Sequence, residues 1–131
     1  MIPKFRAWHH ELGRMMPIET MYFFANELEE LQLNNSVMND SIPASPDEID
    51  LMQSTGLKDK NGKEIFEKDI LDYNGRKVIV KWHGSFACFI YEFVDELKSR
   101  TAEWQPLYLS YYKFEIVGNS LENPELLEVT E

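Results

Sequence analysis

The chain of 131 residues holds one cysteine, Cys88, and three histidines, His9, His10 and His83. A single thiol cannot form an internal disulfide, so nothing here asks for an oxidising compartment. The six glycines form no phosphate-cradling loop, and neither a serine-hydrolase elbow nor a metal-type Cys/His spacing occurs. No apolar run approaches the roughly 18 residues of a membrane helix. The start, "MIPKFRAWHH", lacks the apolar stretch that follows the basic residues of a secretory signal. A cytoplasmic protein with no membrane partner is the expectation. Positive charge is scarce too, with 13 Lys and Arg against 23 Asp and Glu, a net −10. Non-specific nucleic-acid binding is driven by basic side chains that release counterions from phosphates. The balance therefore argues against a nucleic-acid partner.

The charge is uneven. Residues 1–50 carry three basic and nine acidic side chains, residues 51–119 carry ten of each, and residues 120–131 carry four glutamates and no base. What the chain has in quantity is apolar material, 44% hydrophobic and 13% aromatic. That is enough for a buried core and too much for a disordered chain. Its length fits one domain.

Alternation dominates. "KFRAW" places Phe5 and Ala7 on one face and Lys4, Arg6 and Trp8 on the other, the pattern of a half-buried strand. "HHELG" turns at Gly13, and "RMMPIE" returns as a strand in which Pro17, having no N–H, belongs at an edge or bulge. "TMYFFA" is β-favouring. "NELEELQL", residues 26–33, fits a helix capped by Asn26 and a strand equally well. Asn34 to Pro46 is rich in Asn, Ser, Asp and Pro and reads as a mobile loop. "EIDLMQST" alternates again, with Ile49, Leu51 and Gln53 on one face, in competition with a short helix begun at Ser45-Pro46.

"GLKDKNGKEIFEKDIL", Gly56 to Leu71, looks at first like a calcium loop. An EF-hand needs oxygen ligands at positions 1, 3 and 5, glycine at 6 and glutamate at 12. With Gly62 at the glycine position, Leu57 falls at 1 and Lys68 at 12. With Asp59 at position 1, Lys63 falls at 5 and Glu64 at the glycine position. Both registers fail. Asn61-Gly62 is instead a strong hairpin signal, because both residues tolerate positive φ. Asn74-Gly75 repeats it between "DILDY" and "RKVIVKW", where Val78 and Val80 oppose Lys77, Ile79 and Lys81. Gly84 opens a further turn before the strand "SFACFIYEF". "VDELKSRTAEW" is a short helix or loop, "PLYLSYYKFEIVGN" returns to strand, and "ENPELL" is one helical turn capped by Asn123 with Pro124 first. Short strands broken by turn signals have the rhythm of a small antiparallel barrel.

"KFRAW", "LMQSTGLKDKNGKEIFEKDIL" and "FEIVGNSLENPELL" together resemble the YopX family of small phage and prophage proteins, over nearly the whole chain. The family pattern differs at Phe66, where tyrosine is usual, at Lys68, where glycine is usual, and in the "NELEELQL" region. The resemblance implies a mainly β fold with an SH3-like small antiparallel barrel, an N-terminal β extension and short helical turns. It implies one domain over 1–131, with residues 1–50 as a β and loop region and 51–131 as the barrel. It also implies phage origin and residence in the host cytoplasm. It brings no activity, catalytic residues, metal or cofactor.

Against that frame His9 and His10, being adjacent, point to opposite faces of a strand and read as a surface turn. Cys88 reads as a small buried hydrophobe, with His83 five residues away on the other side. Trp104, Tyr108, Tyr111 and Tyr112, with Phe114, form an aromatic cluster that serves as core or as a binding surface for a peptide or single-stranded bases. The expected function is a non-enzymatic barrel module binding a host or phage protein, or itself as a homo-oligomer. A nucleic-acid-associated accessory factor is the alternative.

Overall fold

The computed structural model describes residues 4–35, 37–97 and 103–128. Among them, strands joined by tight turns and single 3-10 turns make up the fold, and no helix is long and apolar enough to cross a membrane. The chain divides into two compact units, Ile2–Gln53 and Ser54–Glu131 with Met1, and the boundary falls inside one strand.

The amino-terminal unit contains β1 (Phe5–His9), β2 (Arg14–Phe24), β3 (Glu27–Asn35), β4 (Asp40–Ala44) and the first half of β5 (Ile49–Lys58). They hydrogen-bond in the order β4-β3-β2-β1-β5, each pair antiparallel. "RMMPIE" and "TMYFF" fuse into β2. Pro17 sits on the last rung of the β1–β2 ladder, opposite Arg6, just before the register with β3 shifts between Ile18 and Thr20. A proline without an N–H is tolerated at such a place. The open question over residues 26–33 resolves as strand. Ala25 and Asn26 both take positive φ, 51° and 66°, which makes a two-residue hairpin turn and leaves no room for a first helical turn.

Much of the segment expected as a mobile loop, Asn34 to Pro46, is strand: Asn34 and Asn35 end β3, and β4 follows a turn at residues 37–39. Leu33 faces Ile42 and Leu31 faces Ala44 across the β3–β4 ladder, so two apolar side chains reach the core and hold an otherwise polar segment. As an edge strand, β4 accommodates Pro43. Both competing readings after Ser45 hold in succession, with a 3-10 turn at Pro46–Glu48 and then β5. Ile49 is buried as its alternation requires, but Leu51 on the same face is exposed, and Met52 on the opposite face is fully buried. The core of this unit gathers Ala7, Met16, Leu31, Leu33, Ala44 and Ile49, flanked by Ile18, Met21, Leu28 and Ile42.

In the carboxy-terminal unit the second half of β5 pairs with β6 (Glu64–Phe66). A five-stranded antiparallel sheet follows, in the order β10-β9-β8-β7-β11. Its strands are β7 (Asp69–Tyr73), β8 (Arg76–His83), β9 (Cys88–Phe93), β10 (Trp104–Pro106) and β11 (Glu115–Asn119). Asn74 and Gly75 form the expected two-residue turn, with φ of 52° and 86°. At Asp59–Lys63 only Gly62 takes positive φ, 82°. Its N–H bonds the Asp59 carbonyl while the Asp59 N–H bonds the Lys63 carbonyl, so the hairpin carries a bulge. Val78 and Val80 enter a core with Ile65, Leu71, Leu107 and Phe114.

The two sheets are not closed into a barrel. β10 and β11 are the edges of the second sheet, and "PLYLSYYKFEIVGN" yields only the end of β10 at Pro106 and the five-residue β11. Two 3-10 turns, Leu107–Leu109 and Tyr111–Lys113, use the residues a closing strand would need. Leu107 and Phe114 anchor those turns in the core instead of alternating along a ladder.

Candidate functional site

The residues most conspicuous in the sequence are consumed by architecture. Asp59 is buried, and both its carboxylate oxygens are engaged. Oδ1 accepts the Asn61 and Lys63 N–H groups, each at 2.9 Å, and Oδ2 accepts the Ile116 N–H at 3.0 Å. The Lys60 N–H donates to the Phe114 carbonyl at 2.9 Å. One carboxylate thus shapes the β5–β6 hairpin and ties it to the open side of β11, a use that charge-assisted bonds make strong. Asp69, likewise buried, accepts the Phe66 N–H at 2.8 Å. Between them Lys68 holds φ of +69°, the conformation that glycine would take without strain. Its N–H reaches the Val80 carbonyl at 2.9 Å, and its carbonyl accepts the Ser120 N–H at 2.9 Å. The tight turn forms despite the lysine.

The third motif is built the same way. Asn119 Oδ1 accepts the Leu121 and Glu122 N–H groups, and Asn123 Oδ1 accepts the Asn119 N–H at 3.2 Å. Asn123 precedes the 3-10 turn Pro124–Leu127 as expected, but its side chain bonds back to β11 and does not cap the turn. A Cβ on Gly118 would lie 2.5 Å from Asn123 Oδ1 and 2.9 Å from Leu126 Cδ1, so close approach explains the glycine.

The four aromatic candidates divide into separate places. Trp104, half-buried on β10, stacks with His83 at 4.8 Å and Phe86 at 5.2 Å between ring centroids. Tyr111 packs against the core and meets Tyr112 edge-on at 5.7 Å. Tyr108, Leu109 and Tyr112 stand exposed on the 3-10 turns at 58%, 59% and 57%. Lys113 Nζ lies 5.7 Å from the Tyr112 ring centroid. Phe114 is core. Beside these turns a pocket of about 420 Å³ is walled by Tyr73, Tyr91, Phe93 and Phe114, with Arg76 and Lys113 at its polar side. Arg76 lies 3.6 Å over the Phe93 ring and forks onto Asp95 at 3.0 and 3.1 Å, which holds the Asp95 carboxyl below its ordinary range.

Two expectations about the rare residues are corrected. His9 is buried and not on a surface turn, because it ends β1 on the face of Ala7. Its Nδ1 accepts the Leu12 N–H at 3.1 Å, and Nε2 lies 3.7 Å from Glu48. His10 alone is in the turn, 3.4 Å from Asp50. Cys88 is only half-buried and sits directly across from His83 in the β8–β9 ladder, so the two share a face. The turn at residues 84–87 reverses the chain between them, which simple alternation along one strand ignores. Among the described residues no three His, Cys, Asp or Glu side chains gather into a metal-type group.

Sequence reasoning passed over a run of three exposed aromatics. Tyr22, Phe23 and Phe24 stand out from the β2–β3 hairpin at 50%, 63% and 74% exposure. Three consecutive aromatics followed by Ala-Asn and a glutamate-rich strand were the available signal. Strand alternation would bury every second one, so three in a row at a hairpin tip leaves an apolar surplus on both faces.

None of the curated proteins matches the chain. Among solved structures, protein EF1440 from Enterococcus faecalis is similar, with a TM-score of 0.64 and 29% identity over 98% of this chain and 99% of that one. The YopX protein family model matches residues 4–128, a span that takes in all three motifs and the turns, buried carboxylates and close glycine just described. This chain belongs to the YopX family.

Proposed function

We propose that the chain is a non-enzymatic module of phage or prophage origin that binds a host or phage protein in the host cytoplasm. The observation that carries this is the exposed apolar surface of Tyr108, Leu109 and Tyr112 on the 3-10 turns, whose Ser110 and Lys113 help line an aromatic-walled pocket. Tyrosines of this kind supply large contact area at low entropic loss and are enriched in protein interfaces. The polar residues of the sequence motifs support the same reading, because Asp59, Asp69, Asn119 and Asn123 already bond to backbone. The single-domain SH3-like barrel of the family resemblance becomes, on this reading, a groove between open sheet and turns.

A second reading rests on Lys113 beside the exposed Tyr112 ring, a cation next to a stacking platform of the kind that holds single-stranded bases. Affinity capture from host lysate separates the two, using the wild-type chain and a Tyr108→Ser/Tyr112→Ser variant. A protein retained by the first and lost by the second is the expected result. Retention of nucleic acid alone, falling steeply with salt, decides for the accessory-factor reading. No difference between the two baits would sink the surface.

A further inference from the structure

We propose that the free end of the β2–β3 ribbon, in the amino-terminal unit, is a second docking surface, for a protein face that is apolar and basic. This rests on the protein-binding reading above but uses a different part of the chain. β1 pairs with β2 only over Arg14–Pro17, and β4 pairs with β3 only over Leu31–Asn35. Among the described residues, the outer rungs, Tyr22 with Glu30, Phe23 with Leu28 and Phe24 with Glu27, have no third strand on either side. A two-stranded ribbon alone is marginal in water, yet this one carries three adjacent exposed aromatics. Leu28 packs against the unit's core, and Phe23 is its cross-strand partner, so the apolar face of the core continues onto the exposed tip.

Charge selects the occupant. Residues 18–33 carry Glu19, Glu27, Glu29 and Glu30 and no Lys or Arg. Nucleic acid and anionic membranes are repelled by such a surface. A second copy docked ribbon to ribbon would set glutamates against glutamates, and like-charge juxtaposition at an interface is costly. A basic protein face is attracted. At the side of the ribbon a pocket of about 550 Å³ is lined by Tyr22, Glu29, Glu30 and Glu48, with Pro43 and Ala44 as its apolar floor. Carboxylates beside a tyrosine ring form a receptor for a lysine or arginine side chain, through ion pairing and cation–π attraction. The partner contact is thus a Lys or Arg flanked by apolar side chains.

The test uses the full isotope-labelled chain and, as probe, a short synthetic peptide alternating lysine and leucine, with amide shifts read by NMR. The expected shifts map to residues 20–30. Phe23→Ser/Phe24→Ser weakens binding about tenfold or more, as loss of two aromatic contacts predicts. Glu29→Gln/Glu30→Gln weakens it as well and flattens its salt dependence. Both substitutions lie at exposed positions, and an unchanged melting temperature verifies that they fold. Shifts confined to residues 107–113 overturn the ribbon surface while leaving the protein-binding reading intact. Shifts nowhere sink both. Sedimentation that shows a wild-type dimer dissociated by Phe23→Ser/Phe24→Ser overturns the basic partner in favour of a second copy.

Discussion

The two units of this chain solve the same problem, an antiparallel sheet that must not slide, by different means. In the carboxy-terminal unit, buried polar side chains bind backbone N–H groups at three corners: Asp59 at the β5–β6 hairpin, Asp69 at the β6–β7 turn and Asn119 after β11. The amino-terminal unit relies on long ladders and one small core, with His9 as its buried polar side chain in the described region. It also leaves an aromatic ribbon in solvent. The motif-rich unit spends its buried polar residues on shape, and both units leave aromatics in solvent, Tyr108 and Tyr112 on the turns of one and Phe23 and Phe24 on the ribbon of the other.

The contrast breaks most sharply at Asp59. Asp59→Ala leaves the N–H groups of Asn61, Lys63 and Ile116 without their acceptor. Charge-assisted bonds to buried groups make the expected loss about 3 kcal/mol or more. Hydrogen exchange on the full chain should show protection lost around β6 and β11 and retained at β2 and β3. Equal loss in both units would mean that the carboxylate is not a local anchor.

A smaller loss is expected at Gly118. Its Cβ would collide with Asn123 Oδ1 and Leu126 Cδ1, so Gly118→Ala must push the 121–127 turn away from β11. Overpacking of this kind costs about 1–3 kcal/mol. Urea unfolding followed by tyrosine fluorescence measures it, and a neutral outcome would show the turn free to move. Phe23→Ser, by contrast, should lie within about 0.5 kcal/mol of wild type, as exposed positions do.

Lys68 reverses the sign. Its φ of +69° strains a side-chain-bearing residue. Lys68→Gly should stabilise by about 0.5–1 kcal/mol once glycine's extra unfolded-state freedom is offset. A destabilised variant would mean that the lysine side chain supplies a contact worth more than the strain.

Much of this architecture was legible in the residues, for reasons that differ along the chain. Asn74-Gly75, Gly62 and the Asn123-Pro124 start reveal themselves because their backbone needs are intrinsic to those residue types. The strands hidden in "NELEELQL" and "NDSIPA" were not legible, since their pairing is decided by a neighbour. Leu31 and Leu33 become a strand face only when Ala44 and Ile42 arrive opposite. The barrel expectation failed at Leu107–Lys113, where aromatic, β-favouring composition is overridden by the anchoring of Leu107 and Phe114. Of the aromatic candidates, Tyr108 and Tyr112 are exposed, while residue type could not reveal that Trp104 belongs with His83 and Phe86. Ring contacts between distant segments leave no trace in local pattern.

The finest difference between the units is electrostatic, and pH resolves it. Ser45 donates its hydroxyl and its N–H to Glu48 Oε1, at 2.8 and 3.1 Å, and the hydroxyl bond is the main reason the Glu48 carboxyl is held below its ordinary 4.5. In the other unit Arg76 holds Asp95 below 3.8. A carboxyl whose folded pKa is depressed contributes stability above its unfolded value and loses it as pH falls through the folded one. Glu48→Gln should therefore melt slightly below wild type at neutral pH, and the gap should close as pH drops below 4.5. Asp95→Asn should do the same starting nearer 3.8, and high salt should shrink its gap more, because Arg76 is a full charge in solvent. The two effects are small, since both carboxyls are exposed. Melting curves of the two variants against pH and salt would decide the matter, and a gap for Glu48→Gln that persists under acid would remove the serine bond as its cause.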